Sequence, residues 1–225
     1  MGNENLFSKR KAKNEKDLAR KRAMRSSYEK ILIVCEGQKT EPNYFNELKD
    51  FYQLNTANVV VDGNCGSDPW SVYQHAQKCA RKAKKDNDPY DKIYCVFDKD
   101  KHTTYQKTLN AITSKKSFTA INSVPCFEYW LLLHFTYTAK PFNAIGNKSS
   151  GDRTIDKLKE YLPEYQKGDL GIFRKLVLKL ESAKTNAQRA IDESIANQTD
   201  NPSTIIHKLV SCLQNLKNPQ TNQCE

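Results

Sequence analysis

Two apolar runs that each stop at an acid constrain this chain more than any other feature. Ile93-Tyr94-Cys95-Val96-Phe97 is short, β-branched and aromatic. It reads as a strand buried on both faces, as in a parallel sheet. It halts at Asp98, and Asp100 follows two positions later. Ile31-Leu32-Ile33-Val34-Cys35 is a second such run, and it ends in Glu36-Gly37. The interval from Glu36 to Ile93 suits two β-α units. Ligands of open α/β sheets bind at the carboxyl ends of strands. Mg²⁺ is a hard ion that usually takes one or two carboxylates plus water. Asp98 and Asp100 therefore read either as a metal site or as a solvated turn, and a second strand delivering Glu36 favours the site.

The rest of the chain fits around these strands. Thr40-Glu41-Pro42 reads as a helix start with Thr40 as N-cap, leading into a helix to Gln53. The positive end of that helix would face the sheet mouth beside Glu36 and attract phosphate. Lys39 either adds a charged contact there or faces solvent. Asn58 to Asp62 is a second strand, and Pro69 opens a helix to about Lys85. That helix ends in Lys78, Arg81, Lys82, Lys84 and Lys85, which suits its negative C-terminal end and a solvated basic face. A helix over 103–116 and a strand over 118–122 complete a β-α-β-α-β-α-β order, which predicts a parallel sheet with both faces covered. Pro125 to Phe135 reads as a buried helix, apolar around most of its circumference, with Glu128 inside it. Glu128 is either a first-turn carboxylate satisfied by the helix dipole or a further acid facing the metal site. His134 is expected to be a hydrogen-bonded core histidine. A loop over 136–152 precedes helices expected at 154–162, 171–197 and 202–216.

Four ordered stretches carry a resemblance. Ile33-Val34-Cys35-Glu36-Gly37-Gln38-Lys39-Thr40-Glu41-Pro42-Asn43-Tyr44-Phe45 resembles the opening motif of the RloB-like family, which includes the second protein of AbiL-type abortive-infection systems. Cys95-Val96-Phe97-Asp98-Lys99-Asp100-Lys101-His102 resembles its middle motif, and Pro125 to Phe135 its third. Asn201-Pro202-Ser203-Thr204-Ile205-Ile206-His207-Lys208-Leu209-Val210 resembles its C-terminal end. Glu-Gly after the first strand and Asp-x-Asp after a later one also match a Toprim domain. The fold class this implies is α/β: a Toprim-like, mainly parallel sheet flanked by helices, with a C-terminal helical extension. The expected organisation is a basic arm over 1–28, the Toprim-like domain over 29–136, and a loop with helices over 137–225 packed on the same core.

The resemblance implies that Asp98 and Asp100 hold Mg²⁺ or Mn²⁺ and that Glu36 is a ligand or general acid/base, in a site that cuts or joins phosphodiesters. His102 stands where some Toprim proteins carry a third acid. It is either a proton-transfer group or a surface residue. Lys39, Lys99 and Lys101 are candidates to neutralise phosphate. Resemblance to AbiL-type pairs also implies an AAA/ABC-type ATPase as partner. This chain has no Gly-rich phosphate loop ending in Lys-Ser/Thr, so ATP hydrolysis is expected to belong to that partner.

Composition bears on the target. The formal net charge is +10, which favours an anionic partner such as DNA or RNA. Lys9, Arg10, Lys11, Lys13, Lys16, Arg20, Lys21, Arg22 and Arg25 crowd the N-terminal arm, which either binds phosphate backbones through counterion release or solubilises the chain. Mean hydropathy is −0.77, and no apolar run approaches the ~20 residues that span a bilayer. With no apolar signal segment at the N-terminus and no Cys-x-x-Cys among seven cysteines, the reading is a cytoplasmic protein with reduced thiols, without a disulfide frame or cysteine-pair zinc site. Cys35, Cys95 and Cys126 are expected in the core. Taken with the resemblance, this implies a metal-dependent nuclease effector of phage defence. A catalytically silent adaptor that binds nucleic acid or the ATPase is the alternative.

Overall fold

The computed structural model describes residues 29–56, 58–99 and 102–216. The basic arm, including Arg20, Lys21 and Arg22, lies outside the described residues, as do Asp100 and Lys101. The element order is β1 (Ile31–Cys35), α1 (Thr40–Phe51), β2 (Val59–Asp62), α2 (Pro69–Lys85), β3 (Lys92–Asp98), α3 (Tyr105–Thr113), β4 (Phe118–Val124) and α4 (Glu128–Leu132). There follow α5 (Ser150–Lys159), α6 (Ile172–Leu176), a single 3₁₀ turn (Val177–Lys179), α7 (Leu180–Ala196), β5 (Ser203–Thr204) and α8 (Ile206–Asn215).

Among the described residues five strands form one sheet in the order β2-β1-β3-β4-β5. The first four run parallel, and only β5 is antiparallel. The chain steps from β1 outward to β2, then crosses back over β1 to β3. The connections therefore leave β1 and β3 in opposite directions. This is the switch point at which open α/β sheets form their ligand crevice. The arrangement is a mainly parallel α/β sheet flanked by helices, consistent with a Toprim-like fold.

Strand side chains alternate between faces, and the core divides accordingly. Ile31, Ile33, Cys35, Tyr94 and Val96 pack with α1 residues Tyr44, Phe45 and Leu48 and with residues of α4 to α8. Leu32, Val34, Ile93, Cys95 and Phe97 pack with Val72, Tyr73 and Ala76 of α2 and with Tyr105 and Ile112 of α3. The C-terminal helices thus share the first core with β1; the Tyr94 hydroxyl lies 3.2 Å from Cys212 Sγ of α8. Cys35, Cys95 and Cys126 are buried, and the described cysteines are free thiols.

Several boundaries differ from the sequence expectation. Thr40 is already helical, and Lys39 is the N-cap of α1. The run after Pro125 contains only a five-residue α-helix, because the following amides of His134 and Phe135 bond to the carbonyl three residues back and tighten the turn. The long helix expected over 171–197 is broken by the 3₁₀ turn at 177–179. The first residues of the last expected helix instead form β5, where Ser123 Oγ and Thr204 Oγ1 are 2.9 Å apart across the pair. Among the described residues no helix is long and apolar enough to cross a membrane.

Candidate functional site

The switch point delivers its acids as the topology requires. β1 and β3 pair in parallel with Cys35 opposite Val96, so both strands finish at the same edge. The Glu36 amide donates to the Val96 carbonyl at 3.0 Å, and the Asp98 amide donates back to Glu36 Oε2 at 3.0 Å. Tyr94 and Val96 face the α1 side, so alternation turns Asp98 toward α1 and α4.

That side carries two further carboxylates. Glu41 stands in the first turn of α1 and Glu128 in the first turn of α4, and they are only 8% and 2% exposed. Burial pushes the Glu41 carboxyl up from 4.5 to about 7, and the nearby Glu128 and Glu36 charges add to the effect. Burial also pushes Asp98 well above the usual carboxylate range, reinforced by Glu41, Glu128 and Glu36 and opposed by the Phe127 amide. Four carboxylates thus lie within electrostatic reach of one another and disfavour their shared ionisation.

The compensating groups come from the connection between α5 and α6. The Tyr165 hydroxyl donates to Glu128 Oε1 at 3.1 Å, and Lys167 Nζ lies 3.8 Å from the same oxygen. Burial opposes charge on Lys167, but Glu128, Cys126, Asp98 and Glu41 together outweigh it and raise the ammonium above its ordinary range. This connection is fastened to α1. Asn43 Nδ2 donates to the Gly168 carbonyl at 2.9 Å, and Glu47 accepts the amides of Gly171 and, at 3.0 Å, Phe173. Glu47 thereby caps the start of α6 from a neighbouring helix, where a negative charge is favoured. Gly37 lies close to this cluster: a Cβ there would stand 2.8 Å from Glu41 Oε2 and displace the Glu41 carboxylate.

The remaining sequence candidates are placed as follows. His102 Nε2 lies 3.3 Å from Glu36 Oε1, so His102 is part of the acid cluster's rim. Lys39 is exposed just ahead of α1 and runs alongside Gly168. Lys99 pairs with Asp200 at 2.5 Å and lies over the Tyr105 ring, at the opposite side of Asp98 in sequence from the α1 acids. His134 is a core residue, its Nδ1 3.0 Å from the Trp130 carbonyl. Glu41, Tyr165 and Lys167 were not among the sequence candidates. Glu41 had a legible signal, an acid in the first turn of a helix aimed at the mouth. Tyr165 and Lys167 had none, because they sit in a connection with no periodicity.

The donor set tests what ion would fit. Carboxylate oxygens from Glu36, Glu41, Asp98 and Glu128 are hard donors suited to Mg²⁺ or Mn²⁺. Burial and mutual repulsion raise the proton affinity of Glu41 and Asp98, and a divalent cation relieves that excess of negative charge.

No curated protein and no solved structure matches this chain. The sequence model for RloB-like proteins matches residues 31–213, which takes in β1, β3, α4 and the α5–α6 connection that together build the acid cluster. The chain belongs to the RloB-like protein family.

Proposed function

We propose that this protein is a metal-dependent nuclease of the Toprim type, serving as effector in an anti-phage system alongside an AAA/ABC-type ATPase. The observation that carries the reading is the meeting of Glu36 and Asp98 at the β1/β3 switch point, with Glu41 and Glu128 close enough for their charges to raise the Asp98 carboxyl. Membership of the RloB-like family is consistent with the defence context. Glu36, Glu41, Asp98 and, from its spacing, Asp100 would hold Mg²⁺ or Mn²⁺. The bound ion supplies an activated water and charge stabilisation on the leaving oxygen.

The protein's own groups complete the chemistry. Glu128 is held by Tyr165 and accompanied by Lys167, which places an ammonium at the rim for a phosphate oxygen. His102 Nε2 takes or returns a proton at Glu36 Oε1. The N-terminus of α1, with Lys39 ahead of it, attracts the phosphate backbone. The basic arm adds sequence-independent affinity for nucleic acid, and a cytoplasmic location suits the ATPase partner.

The test is incubation of the full chain with labelled DNA and total RNA in Mn²⁺ or Mg²⁺, with and without the ATPase. Cleavage that disappears in Asp98→Asn and Glu41→Gln supports the nuclease. Binding without cleavage under all of these conditions replaces it with the adaptor reading.

A further inference from the structure

A second set of donor atoms lies on the other face of the sheet. Val59 and Val61 of β2 pack with the α1-side core, and Val60 packs with the α2-side core. Alternation therefore turns Asp62, the last residue of β2, toward α2. His75 and Cys79 stand one turn apart on α2, and an i,i+4 pair shares one helix face. The three side chains meet. His75 Nε2 is 2.8 Å from Asp62 Oδ2, and Cys79 Sγ is 3.5 Å from His75 Nε2 and 4.0 Å from Asp62 Oδ2.

We propose that Asp62, His75 and Cys79 form a Zn²⁺ site, separate from the acid cluster. One imidazole nitrogen, one thiolate and one carboxylate make a borderline-soft set, which suits Zn²⁺ and not Mg²⁺. A tetrahedral Zn²⁺ with bonds of roughly 2.0–2.3 Å sets its donors roughly 3.3–3.6 Å apart. The observed triangle straddles that range, so the ion widens the His–Asp edge and closes the Cys–Asp edge by about 0.5 Å each. The Asn64 amide donates to Asp62 Oδ1 at 2.9 Å, which fixes the carboxylate and leaves Oδ2 directed at the site. Asp62 and His75 side chains are 23% and 22% exposed, so a fourth position is open to water. Binding replaces the Cys79 thiol proton by the metal and releases that proton to solvent. The ion then ties α2 to β2, which stands at the sheet edge among the described strands. A single cysteine takes part, which is why cysteine spacing carries no signal for it.

Co²⁺ reports on the site directly, because a cobalt–thiolate bond gives a charge-transfer absorption. Titrating the full chain with Co²⁺ is expected to produce that band, Zn²⁺ to remove it by displacement, and Mg²⁺ to leave it unchanged. Cys79→Ser should abolish the band, and His75→Ala and Asp62→Asn should each weaken binding by more than about 100-fold, beyond the loss typical of outer-shell changes. Cys65→Ser and Asp98→Asn should keep it. Wild-type protein supplies a measurement independent of variant folding: Zn²⁺ should protect Cys79 from iodoacetamide, read by peptide mass mapping. Absence of both the band and the protection in folded wild-type protein overturns the site. So does a band that survives in Cys79→Ser or vanishes in Cys65→Ser, since either puts the ion on another thiol.

Discussion

Glu36 Oε2 accepts the backbone amide of Asp98 at 3.0 Å, joining two residues 62 positions apart at the ends of adjacent parallel strands. This bond sets the floor of the acid cluster. It orients the Glu36 carboxylate across the β1/β3 crevice, with its other oxygen 3.3 Å from His102. Asp98 is thereby held beside Glu36, where the charges of Glu41 and Glu128 also raise its carboxyl. Electrostatics then makes the cluster sensitive to any cation that enters it.

Thermal stability should register that cation. At a hundredfold excess over Kd, Mn²⁺ should stabilise the protein by about 2.7 kcal/mol, or roughly 5–10 °C for a chain of this size. Asp98→Asn should remove the shift. Differential scanning calorimetry with and without metal checks this, and an unchanged shift in Asp98→Asn would place the ion elsewhere.

Glu41 makes stability depend on pH. Its folded value of about 7 exceeds its ordinary 4.5, so between these values the folded state binds more protons than the unfolded. Its contribution to metal-free stability is therefore full below pH 4.5 and is lost as pH rises to about 7. The loss is on the order of 3 kcal/mol. Glu41→Gln should flatten this slope in urea unfolding across the window, and saturating Mn²⁺ should flatten it in the wild type. A slope unchanged by Glu41→Gln would assign it to other groups.

Neighbours should move the Glu41 titration in opposite directions. Glu128 raises the Glu41 carboxyl and Lys167 lowers it. Glu128→Gln should shift the midpoint down and Lys167→Met should shift it up, followed by carboxyl carbon NMR. Glu128→Gln keeps an acceptor for the Tyr165 hydroxyl, so stability should change by less than about 1 kcal/mol while nuclease activity is lost. Retained activity with lowered stability would make Glu128 a structural partner of Tyr165.

The glycines at the mouth should separate metal affinity from stability. Gly37→Ala places a methyl 2.8 Å from Glu41 Oε2, the end of a side chain that can swing away. It should weaken metal binding in calorimetry with little effect on the fold. Gly63→Ala meets the Gly37 carbonyl at 2.5 Å and Pro42 Cγ at 2.7 Å, groups that cannot yield easily. It should destabilise by about 1–3 kcal/mol. Equal metal affinity in Gly37→Ala and wild type would exclude Glu41 as a ligand.

The basic arm should govern salt dependence. Nine Lys and Arg residues lie between Lys9 and Arg25. Deleting residues 1–27 should weaken nucleic-acid binding and reduce the slope of log affinity against log salt, with the fold retained. An identical slope in the truncated protein would rule the arm out as the anchor.

The sequence by itself determined the four parallel strands, their order along the chain and the edge at which Glu36 and Asp98 emerge. Those are local and periodic properties: an apolar run halting at an acid marks the end of a buried strand wherever that strand is packed. The start of α2 at Pro69 was legible for the same reason, and there the Asp68 carboxylate accepts the Trp70 amide at 3.0 Å. Tertiary structure alone decided which distant groups face those acids. Lys167 and Tyr165 reach Glu128 because Asn43 and Glu47 fasten their connection to α1, a pairing across more than a hundred residues that no local pattern encodes. Tertiary packing also bent the expected helices. The segment after Pro125 is buried on all sides and winds into tight turns, and the two residues of β5 pair with β4 instead of starting α8. The meeting of Asp62 with His75 and Cys79 has the same origin, since it depends on which face of an edge strand a helix covers.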